Sequence, residues 1–251
     1  SPTTRGPVMT AQDTSTPLLT PDRLDEVEGW FFAADRFVFD WLLTHQRDYG
    51  VRGDLLELGV YKGKSAIAIG YHASDAERFT VCDLFDVGEA PDASTATEMR
   101  VYYPTLTRQV FEANYLRFHR RLPTVIQGSS AEVTRHVPAG SCRFVHIDAS
   151  HLYHHVRADI AAARELLTED GVVALDDFRS PHTPGVAAAT WEAVLTAGLK
   201  PVVLTESKLY GTWGPADLLR DALAGRLSTH PTLWGVTEDV AGHTLLRIHS
   251  R

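Results

Sequence analysis

Two cysteines, Cys82 and Cys142, are all that 251 residues contain. That excludes a disulfide framework, and since each lies in or beside an apolar run, reduced buried thiols are expected. No run of about 18 apolar residues occurs, which argues against a membrane-spanning helix. Positive charge is scarce as well: 24 Lys and Arg face 32 Asp and Glu, a net charge of −8. A face able to neutralise nucleic-acid phosphates is therefore not expected. The opening residues show no basic stretch followed by an apolar one, so no secretory leader is read and a cytoplasmic protein is expected. No internal repeat is visible. What is present is ordinary for a globular chain: 44% hydrophobic and 22% charged residues can build a full core.

Residues 1–20, rich in Ser, Thr and Pro and without periodicity, read as a disordered arm ahead of one domain over 21–251. Within 21–49, Leu24, Val27, Phe31, Ala34, Val38, Trp41 and Leu42 recur at helical spacing. They predict a helical extension, continuous or broken near Gly29. Its aromatics Trp30, Phe31, Phe37 and Trp41 read first as core packing; a pocket wall or a contact between copies in a homo-oligomer stays open.

From residue 50 onward the pattern alternates. Strands are expected at 55–58, 79–82, 124–126, 143–148, 171–175, 201–204 and 244–248, and helices at 65–69, 107–122, 152–167, 186–197 and 215–223. Such alternation implies a doubly wound α/β fold, a parallel sheet covered by helices on both faces. Ligands in these folds sit at the carboxyl ends of the strands. Two connections read as loops over such a site: the acidic stretch 84–106, long enough to act as a lid, and Ser207-Lys208-Leu209-Tyr210-Gly211.

The stretch Leu55 to Ser65 reads as strand, tight turn and helix. Gly59 and Gly63 let the main chain come close to a ligand where a side chain would collide. The spacing matches neither G-x-G-x-x-G nor a Walker loop. Glu57, just ahead of the turn, is placed to meet a cationic amine, which suits an amino-acid-like ligand. Asp83 ends the next strand about 20 residues further on, where an acid accepts hydrogen bonds from ribose hydroxyls. Glycines that only tighten a turn, and a solvated loop acid, are the plainer readings.

Asp148 closes the fourth expected strand, and Asp176 and Asp177 close the fifth. If those strands are neighbours, three carboxylates converge, and a proton or a cation must offset their repulsion. All-oxygen donors select a hard ion, Mg²⁺ first. The competing reading, in which Asp148 binds ligand and the Asp176-Asp177 pair caps a loop without metal, stays open. His151, three residues past Asp148, has the side chain to take a proton near neutral pH. His151, His154 and His155, three and four apart, offer a rival zinc cluster, but no Glu sits between them and no thiolates are near, so His154 and His155 read as helix-surface residues. His146 reads as a core histidine, and His182 as a candidate substrate contact.

LELGVYKGKS resembles the first motif of class I S-adenosylmethionine-dependent methyltransferases, in the form found in catechol O-methyltransferases and in macrocin and mycinamicin sugar O-methyltransferases. HIDASH and LDDF resemble the metal-ligand segments of that group, down to the 28-residue separation of Asp148 and Asp176. The similarity runs from about residue 50 to 180. It implies a Rossmann-like, mostly parallel sheet of seven strands. S-adenosyl-L-methionine would be held by Glu57, Gly59, Val60, Tyr61, Gly63, Ser65, Asp83, Ser129, Ser130 and Asp148. Mg²⁺ would be held by Asp148, Asp176 and Asp177, with His151 as base. The segment Gln127-Gly128-Ser129-Ser130-Ala131 resembles the one lying along the adenine. Asp177 stands where the catechol enzymes have Asn, and His151 where they have Lys; in both the chain is like the sugar enzymes. The implied reaction is methyl transfer to a hydroxyl of a vicinal diol on a secondary-metabolite glycoside, as in antibiotic biosynthesis. Alternatives are a metal-independent or phenol-directed O-methyltransferase, and a non-catalytic S-adenosylmethionine-binding sensor or scaffold.

Overall fold

The structure, a computed structural model, describes residues 18–85 and 108–251. Most of the expected N-terminal arm and nearly all of the expected lid at 84–106 lie outside the described residues. A short 3-10 turn, Asp22–Glu26, precedes α1 (Ala33–Asp48), so the N-terminal extension is broken around Gly29, as one of the two sequence readings has it. There follow β1 (Asp54–Leu58), α2 (Lys64–Gly70), β2 (Phe79–Asp83), α3 (Arg108–Leu116), β3 (Thr124–Gln127), α4 (Val133–His136), β4 (Cys142–Ile147) and α5 (Tyr153–Leu166). The chain continues through β5 (Leu167–Asp176), α6 (Pro184–Thr196), β6 (Lys200–Leu204), β7 (Lys208–Thr212), α7 (Asp217–Leu227), β8 (Leu233–Val240) and β9 (His243–Ser250).

All strands among the described residues join one sheet in the order β3-β2-β1-β4-β5-β7-β6-β9-β8. Strands β1 to β5 pair in parallel, and β7 runs antiparallel between β5 and β6. Strand order reverses between β1 and β4, which opens a crevice at their carboxyl ends.

The sheet has nine strands rather than seven. Residues 207–211, expected as a pocket loop, are mostly strand β7: Lys208, Leu209, Tyr210 and Thr212 are all buried. The lysine at its head disguised it, because the carboxylates that offset its charge, Asp176 first, lie far away in sequence. β8 escaped notice because its outer residues are polar and exposed, as suits an edge strand. It pairs with β9 through a two-residue turn, Ala241-Gly242, with φ of 48° and 82°, the sign pattern of a type I′ hairpin turn.

Successive strand residues face opposite sides, so each β-strand feeds two cores. Leu55, Phe144, Val172 and Ala174 pack with Phe39 and Leu43 of α1 and Ile67 of α2. Leu56, Val145, Val173 and Leu175 pack with Ile160 of α5 and Ala189 of α6. Phe31 and Phe37 are buried in the first of these cores, whereas Trp30 is 60% exposed. No helix among the described residues is long and apolar enough to cross a membrane.

Candidate active site

After Leu58 the chain turns through Gly59 at φ 81°. A Cβ there would lie 2.1 Å from the Asp148 carbonyl oxygen, so only glycine lets β1 and β4 end side by side. The junction is sewn by Asp148 N–H donating to the Leu58 carbonyl at 2.8 Å and Gly59 N–H donating to that of Cys82 at 2.8 Å. Asp83 braces the same turn: its Oδ2 accepts from Val60 N–H at 2.7 Å and Tyr61 N–H at 3.3 Å, and its Oδ1 from Phe85 N–H at 2.7 Å. Burial raises its pKa, against the pull of those N–H groups.

Above these strand ends lies a cavity of about 760 Å³, within the range of small-molecule and cofactor sites. Of the residues expected in the site, Gly59, Val60, Tyr61, Ser65, Asp83, Ser129, Ser130, Asp148, His151, Asp176 and Asp177 line it. Trp30, His155 and His182 line it too. His155 thus differs from the surface residue expected, whereas His154 is exposed.

Glu57 and Gly63 are not part of the wall. Glu57 shares the face of β1 that carries Leu55, the face covered by α1 and α2, and is fully buried. Its Oε2 accepts from Ser65 Oγ at 2.9 Å and is 2.8 Å from His146 Nδ1. Burial pushes its pKa up to about 8. It stands behind Ser65 and does not present a carboxylate to a ligand amine. Gly63 gives α2 a left-handed N-terminal residue at φ 97°, and a Cβ on it would meet the Phe111 ring at 2.9 Å.

At the ends of the adjacent strands β4 and β5, Asp148, Asp176 and Asp177 each bring an oxygen within 4.8 Å of the others. Burial, and then Asp176, push Asp148 well above the usual carboxylate range. Burial pushes Asp177 up, but His151, Lys208 and the Ser180 hydroxyl together hold it below that range. His151 Nε2 lies 2.9 Å from Asp177 Oδ2, and the His182 ring packs edge-on against His151 at 5.6 Å.

Two residues that sequence reasoning missed complete the site. Lys208 pairs in register with Asp176 across β5 and β7, and its Nζ donates to Asp176 Oδ1 at 2.6 Å. Asp159, buried on α5, accepts from Ser130 Oγ at 2.6 Å, and burial pushes it up to about 6. Its sequence signal was an acid inside the apolar stripe Val156, Ile160, Ala163. With Lys208 counted, the cluster carries two net negative charges when all three carboxylates ionise. That donor set fits one hard divalent cation.

Residues 56–178 match the family model for a methyltransferase domain. This stretch of the chain is an S-adenosylmethionine-dependent methyltransferase domain. Solved structures agree on the fold of this methyltransferase. The O-methyltransferase NovP superposes with a TM-score of 0.57 at 19% identity, over 70% of this chain and 78% of its own. The S-adenosylhomocysteine-bound methyltransferase PaMTH1 of Podospora anserina gives 0.52 at 14% identity, over 78% and 89%. An O-methyltransferase from Bacillus cereus, in complex with S-adenosylhomocysteine, gives 0.50 at 14%, over 80% and 94%. No curated protein matches the methyltransferase sequence.

Proposed function

We propose that the enzyme methylates a hydroxyl oxygen on a sugar bearing adjacent hydroxyls, as part of a secondary-metabolite glycoside. The observation that carries this reading is the imidazole of His151 held against Asp177, inside a cluster of three carboxylates that lines the same cavity as the cofactor turn. S-adenosylmethionine supplies the electrophilic methyl group. Gly59, Val60 and Tyr61 offer main chain to its amino-acid end. Asp83 Oδ1, which accepts from Phe85 N–H, keeps acceptor capacity for a ribose hydroxyl, since a carboxylate oxygen has two lone pairs. Ser129 and Ser130 flank the adenine. Asp148, Asp176 and Asp177 would hold Mg²⁺, which supplies positive charge beside the acceptor and favours two neighbouring oxygens over one.

His151 takes the proton from the acceptor hydroxyl. Asp177 keeps the ring at the cluster, and the walls hold nucleophile and methyl in line, where much of the acceleration arises. His151→Gln is expected to lower turnover about 10²–10⁴-fold at saturating substrate with S-adenosylhomocysteine binding unchanged. Normal turnover in that variant would remove the assignment. A second reading draws on Lys208, which already offsets one carboxylate without any metal. Activity that survives exhaustive chelation and prefers phenols to sugar diols would establish that reading instead.

A further inference from the structure

Lys208 is 1% exposed, and its ammonium group is held from three sides. It donates to Asp176 Oδ1 at 2.6 Å, lies 2.9 Å from His146 Nε2, and sits 5.9 Å from the centre of the Phe39 ring. An ammonium has donors only, so His146 Nε2 must accept from it. The imidazole proton is then on Nδ1, donated to Glu57 Oε2 at 2.8 Å, and Ser65 Oγ donates to that same oxygen at 2.9 Å. Every contact in this chain, from the cofactor turn to the carboxylates, has a defined donor. Strand register places the lysine opposite Asp176, so its charge belongs to the cluster permanently and does not exchange as a solvent ion would.

We propose that Lys208 is the fixed counter-charge of the Asp148, Asp176 and Asp177 cluster, a positioning residue that matches the site to one divalent cation and disfavours trivalent ions. The inference rests on the metal reading given above. Three carboxylates and one ammonium leave a net charge of −2, which one divalent ion balances. Repulsion from Lys208 grows in proportion to the charge of the incoming ion, so it weighs more on a trivalent ion than on a divalent one. Without the lysine the cluster reaches −3 and the preference turns.

The test is cation binding by the protein loaded with S-adenosylhomocysteine, with Mn²⁺ followed by electron paramagnetic resonance and Tb³⁺ by luminescence. The native chain is expected to bind one Mn²⁺. Lys208→Met is expected to shift the affinity ratio toward Tb³⁺ on the order of 100-fold, the effect of one unit charge at about 5 Å in a medium of effective dielectric about 20. Asp176→Asn combined with Lys208→Met restores a net −2 and removes both members of the buried ion pair together. The ratio should return close to the native one and the fold should hold. If Lys208→Met alone does not fold, the same shift is read between Asp176→Asn and the double variant, which differ only by the lysine. Mn²⁺ bound by the native chain with a ratio indifferent to Lys208 in both comparisons would overturn the inference and leave the metal site standing. Failure of the native chain to bind Mn²⁺ would remove the metal reading itself.

Discussion

Asp159 occupies the apolar stripe of α5, where burial pushes its pKa up to about 6. Unfolded, such a carboxyl titrates near 3.9, so the folded chain binds more protons between those values. The stability tied to this residue is therefore fully present below about pH 4 and is lost as pH rises through about 6. Asp159→Asn keeps an acceptor for Ser130 and should stabilise the protein at pH 7.5 by on the order of 1–3 kcal/mol, with little effect at pH 4. Thermal melts at the two pH values check it; an equal shift at both would contradict the titration. Asp148, Asp176, Asp177 and His151 were legible in the sequence because strand ends are where an α/β sheet exposes side chains. Glu57 was misread because the two-residue strand period, counted from Leu55, turns it into the helix-covered face. Lys208 had no legible role, since its partners Asp176 and His146 come from other strands.

Gly59 shows how two elements depend on a single missing methyl group. Gly59→Ala would set a Cβ at 2.1 Å from the Asp148 carbonyl, forcing the β1 turn away from the end of β4. S-adenosylhomocysteine binding should weaken by about tenfold or more, a cost of at least about 1.4 kcal/mol, measurable by calorimetry; unchanged affinity would mean the turn relaxes freely. Arg143 performs the complementary task on the opposite flank. Its guanidinium donates to Glu77 Oε2 at 2.7 Å, to Gln46 Oε1 at 3.0 Å and to the His72 carbonyl at 2.9 Å, which ties α1 and the segment after α2 to β4. Arg143→Met leaves Glu77 without its cation, and denaturant unfolding should show a loss of about 3–5 kcal/mol. Apart from the single-turn α4, helix and strand identities from β1 to β5 were readable because apolar runs and breakers alternate cleanly there. The β7 and β8 strands were not, since one begins on a buried charge and the other is a polar edge.

Across the whole molecule, the reversal of strand order between β1 and β4 gathers the cofactor turn and the carboxylates over one crevice. The N-terminal extension divides its aromatics between two uses: Phe31 and Phe37 enter the core, while Trp30 remains exposed on the cavity rim and Phe32, Leu18 and Leu19 face outward nearby in sequence. We propose that these exposed apolar side chains join copies of the chain into a homo-oligomer. Light scattering should give a mass that falls toward 27.7 kDa when Leu18, Leu19 and Phe32 are replaced by Ser; a native chain already at the monomer mass would refute this.

The β6–β7 hairpin carries one more consequence, for how such an enzyme can vary by descent or by design. Only Thr205, Glu206 and Ser207 connect the strands, and Thr205 and Ser207 are both anchored to Asp35. Removing one residue there would slide β7 by one position, turn Lys208 to the far side of the sheet and set Leu209 opposite Asp176 in its place, whereas adding one would set Ser207 there. Loop length and the placing of Lys208 are thus inherited together: libraries of insertions and deletions should tolerate changes around the Ala241-Gly242 turn and lose activity at residues 205–207.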